Sequence, residues 1–233
     1  LPKIMNKNLK VFLNLFLIFI SIFFVFELNY YNHWSGSLED FTQVYNGLII
    51  NSGSKAEYHD HPGHSLILFI SLWLELLDML NIIKFSNFEQ LDKSNNLSED
   101  LNNIVAHAKM INVIFLLTFL IFIYKYLKLL SKDKILIYLF LIIITTSWPL
   151  LHVIDMLKSE FLSAVTIYIS FYFIAASVNK NNFNRKYVFL SGFFFMLSIF
   201  AKFHSIFIYI FLPLSLLLFK KKTINIEFNK FEK

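Results

Sequence analysis

A chain of 233 residues with 57% hydrophobic and 16% charged side chains is too apolar for a soluble domain of its size. Twenty-nine phenylalanines stand against five glycines and four prolines, and the mean hydropathy is +0.59, so the expected solvent is a lipid bilayer. The absence of cysteine excludes disulfides and thiolate metal sites; the net charge is +5, and no nucleic-acid partner is expected.

The first apolar stretch, 11–28, follows Lys3, Lys7 and Lys10 and lacks a small-residue cleavage site after Leu28, which marks an anchor rather than a removed signal. In the loop that follows, Ser37-Leu38-Glu39-Asp40 reads as a helix start with Ser37 as N-cap. Leu38, Phe41, Tyr45, Leu48 and Ile49 recur at helical spacing, which predicts a short amphipathic helix on the membrane surface, ending near Asn51-Ser52-Gly53. Asp40 is either a capping acid or, beside the membrane, a general base or metal ligand.

Residues 57–66 read EYHDHPGHSL. Pro62 pre-sets a helix start, and Gly63 permits close approach of another chain or a ligand. His59 and His61 share a face of an extended segment with Asp60 pointing away, which suits a closed metal site poorly. The run 64–83 is long enough to span, but it carries Glu75 and Asp78 mid-run, where charges facing lipid are costly.

Further spans are expected at 110–127, 135–151 and 161–178, and the 33 residues of 187–219 are too long for one pass. The quartet Ala201-Lys202-Phe203-His204 divides that run into helices 187–201 and 204–219 joined by a polar hairpin. Lys202 at that turn suits a phosphate as a point charge. Between 135–151 and 161–178, Trp148-Pro149 ends a helix, and Asp155 and Glu160 open the next. Five residues apart, they are poor neighbours on a helix, and Lys158 is the plain candidate partner for either acid.

Charge decides the sidedness. If 64–83 crosses the membrane, the later basic loops fall outside. If it lies along the outer interface, the clusters at 1–10, 125–134, 180–186 and 220–233, each of net +3, all become cytoplasmic. They carry +12 of a chain total of +5, which leaves −7 for the other side. The expected architecture is therefore an all-α polytopic membrane protein of six spans with both termini cytoplasmic. It forms a single membrane domain over 1–233, with a large extracytoplasmic loop at 29–109 holding interfacial helices. In that topology all seven histidines (His33, His59, His61, His64, His107, His152 and His204) fall at the outer face or at outer helix ends.

The ordered set Glu39-Asp40, DHPGH at 60–64, the 64–83 helix, the basic 125–134 loop, Ser147-Trp148-Pro149 with Asp155 or Glu160, and Ala201-Lys202 resembles the GT-C superfamily of membrane glycosyltransferases. That superfamily includes the protein O-mannosyltransferases and aminoarabinose transferases. Gly63 stands where the family pattern has a second proline, and the second acid lacks an Asp-x-Asp form. The resemblance implies transfer of a sugar from a polyprenyl-phosphate donor to a lipid, glycan or protein acceptor outside the cytoplasmic leaflet of a bacterial inner membrane. It implies Asp40 or Glu39 as base, and Glu160 or Asp155 as second acid. Asp40 and Glu160 would hold a divalent cation if one is used. Lys202, with His204, would bind the donor phosphate, and His61, Pro62 and His64 would shape the site. Family members are longer, so this chain is expected to be the N-terminal module of a longer one. The alternatives are a transporter or flippase of lipid-linked sugars, or a non-catalytic membrane subunit.

Overall fold

The computed structural model describes residues 38–57, 63–147, 150, 154–179 and 184–208. Among them the regular structure is entirely helical: α1 Leu38–Asn51, α2 His64–Met79, α3 Phe88–Leu91, α4 Leu97–Lys109, α5 Ile111–Leu130, α6 Lys134–Thr145, α7 Ser159–Asn179 and α8 Arg185–Ala201.

Helix α1 matches its expected bounds. Its end is fixed by Gly53, whose φ of 78° lies in the left-handed region that glycine tolerates. The expectation that α1 rests on a membrane surface is only half met, because Val44, Asn46 and Leu48 are fully buried. Gly47 explains the depth: a Cβ there would stand 3.0 Å from Ile70 Cγ2, so α2 packs where a side chain would otherwise be. Asn51 ties the pair, donating to the carbonyls of Ser71 (3.1 Å) and Ser86 (2.8 Å) while the Ser71 hydroxyl donates back to it.

Helix α2 stops at Met79 rather than continuing to 83. Asn81 takes a φ of 56°, Ile82 N–H bonds Leu77 O and Asn81 N–H bonds Asp78 O, the two hydrogen bonds of a Schellman ending. Ser86 then donates to Asp78 at 2.6 Å, which satisfies the acid that made a spanning 64–83 expensive. Its contacts run from α8 and α5 at one end (Ser65 to Leu197 O, Phe69 against Phe115) to α4 further along (Trp73 Nε1 to His107 O, 3.0 Å). Helix α4 lies within the 29–109 region expected as an outer loop. It continues through Met110 into α5, giving a helical stretch of 34 residues, Leu97–Leu130.

Two described helical stretches, Leu97–Leu130 and Ser159–Ser177, are long and apolar enough to cross a membrane. Of the other expected spans, 11–28 and residues 209–219 lie outside the described residues. The 135–151 span is realised as the 12-residue α6, about 18 Å at 1.5 Å per residue, against about 30 Å of hydrocarbon. It ends where the Thr145 and Thr146 hydroxyls turn back onto the carbonyls of Leu141 and Ile142. The 17-residue α8 realises the segment expected at 187–201.

The long helices alternate in direction. Phe119 meets Phe161 and Tyr168, and Tyr126 meets Phe171, so α5 and α7 run parallel. Helix α8 returns along α7, with Ser170 and Ser191 each donating to the other's backbone carbonyl (2.9 and 3.0 Å) and the Ser163 and Ser205 hydroxyls bonded nearer the far end. Side-chain hydrogen bonds of this kind hold helices together where surrounding lipid offers no hydrophobic gradient. One end of the bundle therefore carries the starts of α5 and α7 and the end of α8. The other carries the α5–α6 turn and the start of α8 at Arg185.

Candidate functional site

At the end holding the starts of α5 and α7, segments far apart in sequence converge on Asp40. The residue lies in the first turn of α1, where the helix dipole favours an acid, yet its side chain is only 1% exposed. Its Oδ1 accepts the Leu157 backbone N–H at 2.7 Å, and Lys109 Nζ lies 2.9 Å from Oδ2. Lys109 is the last residue of α4, just before the helical stretch passes through Met110 into α5, and it too is buried. Oδ1 of Asp40 is thus hydrogen-bonded, while Oδ2 has the Lys109 ion pair but no hydrogen bond among the described residues.

The Leu157 segment is held from a second side. Asn112, on the first turn of α5 and 1% exposed, donates to the carbonyls of Ile154 (2.8 Å) and Met156 (2.9 Å). This turn leads through Lys158 into α7, where Glu160 is the second residue. Glu160 Oε1 accepts from Lys202 Nζ at 2.7 Å, and the Ser159 hydroxyl donates to Oε2 at 3.3 Å. Lys202 stands in extended conformation just after α8, its N–H bonded to Ser198 O. The pair is open to solvent, with side-chain exposures of 22% for Lys202 and 49% for Glu160.

The expected residues therefore divide. Asp40, Glu160 and Lys202 belong to one connected region, running from Asp40 through Leu157 and one turn of chain to Glu160 and Lys202. Glu39 is exposed at the start of α1, Asp155 is exposed on the turn before α7, and His204 is exposed two residues after Lys202. His64 opens α2 next to Ser65, which reaches α8. His61 and Pro62, with His59 and Asp60, lie outside the described residues. Lys202, not Lys158, is the partner of Glu160.

Lys109 and Asn112 were not singled out from the sequence. A lysine just before an apolar run reads as an interfacial charge, and one asparagine near a span start carries no signal. The one available clue to Lys109 was the amphipathic pattern of 97–109, which puts it on the face of Ile104, Val105 and Ala108.

Among the described residues no group of three or more His, Asp or Glu side chains is placed to hold a metal ion. The Asp40 carboxylate already carries an ammonium, and a second cation beside it would be repelled. Asp40 is paired with Lys109 and Glu160 with Lys202, so each of the two acids named for a divalent cation has an ammonium partner among the described residues.

No protein-family model matches the chain, and neither does any curated protein or solved structure.

Proposed function

We propose that this chain is a membrane glycosyltransferase of the GT-C type, transferring a sugar from a polyprenyl-phosphate donor to an acceptor at the extracytoplasmic face of a bacterial inner membrane. The observation that supports this reading is the pair of half-buried Lys202 and exposed Glu160, joined to buried Asp40 through the 154–160 segment at one end of an apolar helix bundle.

The chemistry follows from those groups. The acceptor oxygen forms a bond to the anomeric carbon as the bond from that carbon to the donor phosphate breaks. Lys202 stabilises the negative charge that develops on the departing phosphate. A phosphate drawn to Lys202 competes with Glu160 for the ammonium and frees that carboxylate to take the acceptor's proton. Asp155 is the alternative proton acceptor. Asp40, hydrogen-bonded to the Leu157 N–H and ion-paired with Lys109, acts as a positioning residue that fixes the turn leading to Glu160. His204 and His64 border the region, and Glu39 is an exposed acid at the start of α1.

The test is transfer by the reconstituted chain of tritiated mannose or arabinose from a synthetic polyprenyl phosphate to lipid and glycan extracts. Wild type should yield a labelled product, and Lys202→Met and Glu160→Gln should each lower its rate by about 10²-fold or more. Label that crosses the bilayer without forming product, or equal rates in all three proteins, would overturn the reading.

A further inference from the structure

The exposed lysines of the α5–α6 turn line an open cleft. Helix α5 ends at Leu130 and α6 begins at Lys134, so three residues make the connection. The two helices meet where Tyr124 faces Tyr138, ring centroids 6.2 Å apart. Between that contact and the turn lies a cavity of about 290 Å³ lined by Lys128, Lys132 and Lys134, the two tyrosines, Ser131 and Ile137.

No carboxylate is among the lining residues. Asp133, the acid of the turn, caps α6: its Oδ1 accepts from the N–H groups of Ile135 (2.9 Å) and Leu136 (3.4 Å). The fourth lysine, Lys125, is engaged elsewhere, with its ammonium 5.2 Å from the Phe122 ring centroid and 5.8 Å from that of Tyr172. Among the described residues, the three lining lysines enter no ion pair. Three like charges around one small space repel one another, and a multivalent anion removes that repulsion. The tyrosine and serine hydroxyls add neutral donors.

The surroundings indicate the kind of anion. Along α6, which begins at the cavity-lining Lys134, Ile135, Leu139 and Ile143 follow one another at four-residue spacing beside the cavity-lining face, and all three are exposed among the described residues. An occupant with a charged head and an apolar tail matches both surfaces. We propose that this cleft is a binding site for a phosphate ester carried by an anionic phospholipid, with the phosphate among Lys128, Lys132 and Lys134 and an acyl chain along α6. The site lies at the opposite end of the bundle from Asp40, Glu160 and Lys202, and it stands independently of any transferase activity.

The experiment measures lipid binding to the purified full chain in neutral detergent by native mass spectrometry. The probes are dioleoylphosphatidylglycerol, dioleoylphosphatidylcholine and inorganic phosphate, the last as a competitor. The variant is Lys128→Gln/Lys132→Gln/Lys134→Gln, and a charge-matched control carries Lys220→Gln/Lys221→Gln/Lys222→Gln. Tighter binding of the anionic lipid, weakened about tenfold or more in the first variant and retained in the control, is the expected result. Phosphate that binds as tightly as the lipid and is lost in the same variant would identify a free phosphate ester as the occupant of the same site. Equal loss in both variants, or no loss in the first with helix content preserved by circular dichroism, would overturn the proposal.

Discussion

Lys109 Nζ lies 2.9 Å from Asp40 Oδ2, and both side chains are shielded from water, so the end of α4 is joined to the start of α1 by a buried ion pair. Removing one partner strands the other charge in a poorly solvated site, whereas removing both does not. Asp40→Asn and Lys109→Met should each destabilise the protein by about 3–5 kcal/mol. The double variant Asp40→Asn/Lys109→Met, which keeps an oxygen for the Leu157 N–H, should recover most of that loss. Denaturant unfolding in detergent, followed by circular dichroism, measures all three. Single variants that unfold like wild type would show that the pair does not hold the two helices together.

The Glu160–Lys202 pair predicts the opposite balance. Both side chains reach solvent, so the pair contributes no more than about 1 kcal/mol. Glu160→Gln and Lys202→Met should therefore unfold within about 1 kcal/mol of wild type while losing the proposed sugar transfer. A variant that loses both fold and transfer would assign the pair to structure.

Gly47 sets how closely α1 approaches α2. Gly47→Val should cost about 1–3 kcal/mol because its side chain must displace the fully buried Ile70. Gly47→Ala should cost less, since its single methyl gains helix propensity while pressing on Ile70 Cγ2 at 3.0 Å. Unfolding midpoints of the two variants decide the order.

The seam between α7 and α8 offers a double-mutant cycle. Ser170 and Ser191 exchange hydrogen bonds at 2.9–3.0 Å, and their coupling should be about 0.6–1.7 kcal/mol. Ser170→Ala, Ser191→Ala and the double variant, measured by unfolding in the same detergent, provide it. Strict additivity would show that the hydroxyls find other partners.

Sidedness is accessible because the chain has no cysteine of its own. Asp92→Cys and His204→Cys should react with an impermeant thiol reagent from one side of intact cells or oriented vesicles. Lys132→Cys should react only after permeabilisation. Labelling of Asp92→Cys only after permeabilisation, with Lys132→Cys labelled from outside, would restore 64–83 as a crossing helix.

Sequence and structure agree best where a local signal was strong. The α1 boundaries followed from apolar spacing and a glycine stop, and the division of 187–219 followed from Lys202 and His204. Charge and length could not reveal the left-handed Asn81 that ends α2 early, because asparagine takes that conformation only where the following backbone bonds close. They also could not reveal that Asp40 would be buried. Its burial depends on Lys109, 69 positions away, and on the backbone of Leu157, 117 positions away. A carboxylate near a helix start looks the same in sequence whether it faces water or an ammonium. Glu160 and Lys202 were recognised as separate polar points, while their direct contact required α8 to return along α7.

The separation of 117 residues between Asp40 and Leu157 also bears on the order of assembly. During synthesis Asp40 can meet Lys109 as soon as α4 has emerged, but its second partner does not exist until α5 and α6 have been made. Closure of this end of the bundle is therefore among the last tertiary events for the described residues. A nascent chain halted before α7 would hold the aspartate by its ammonium alone.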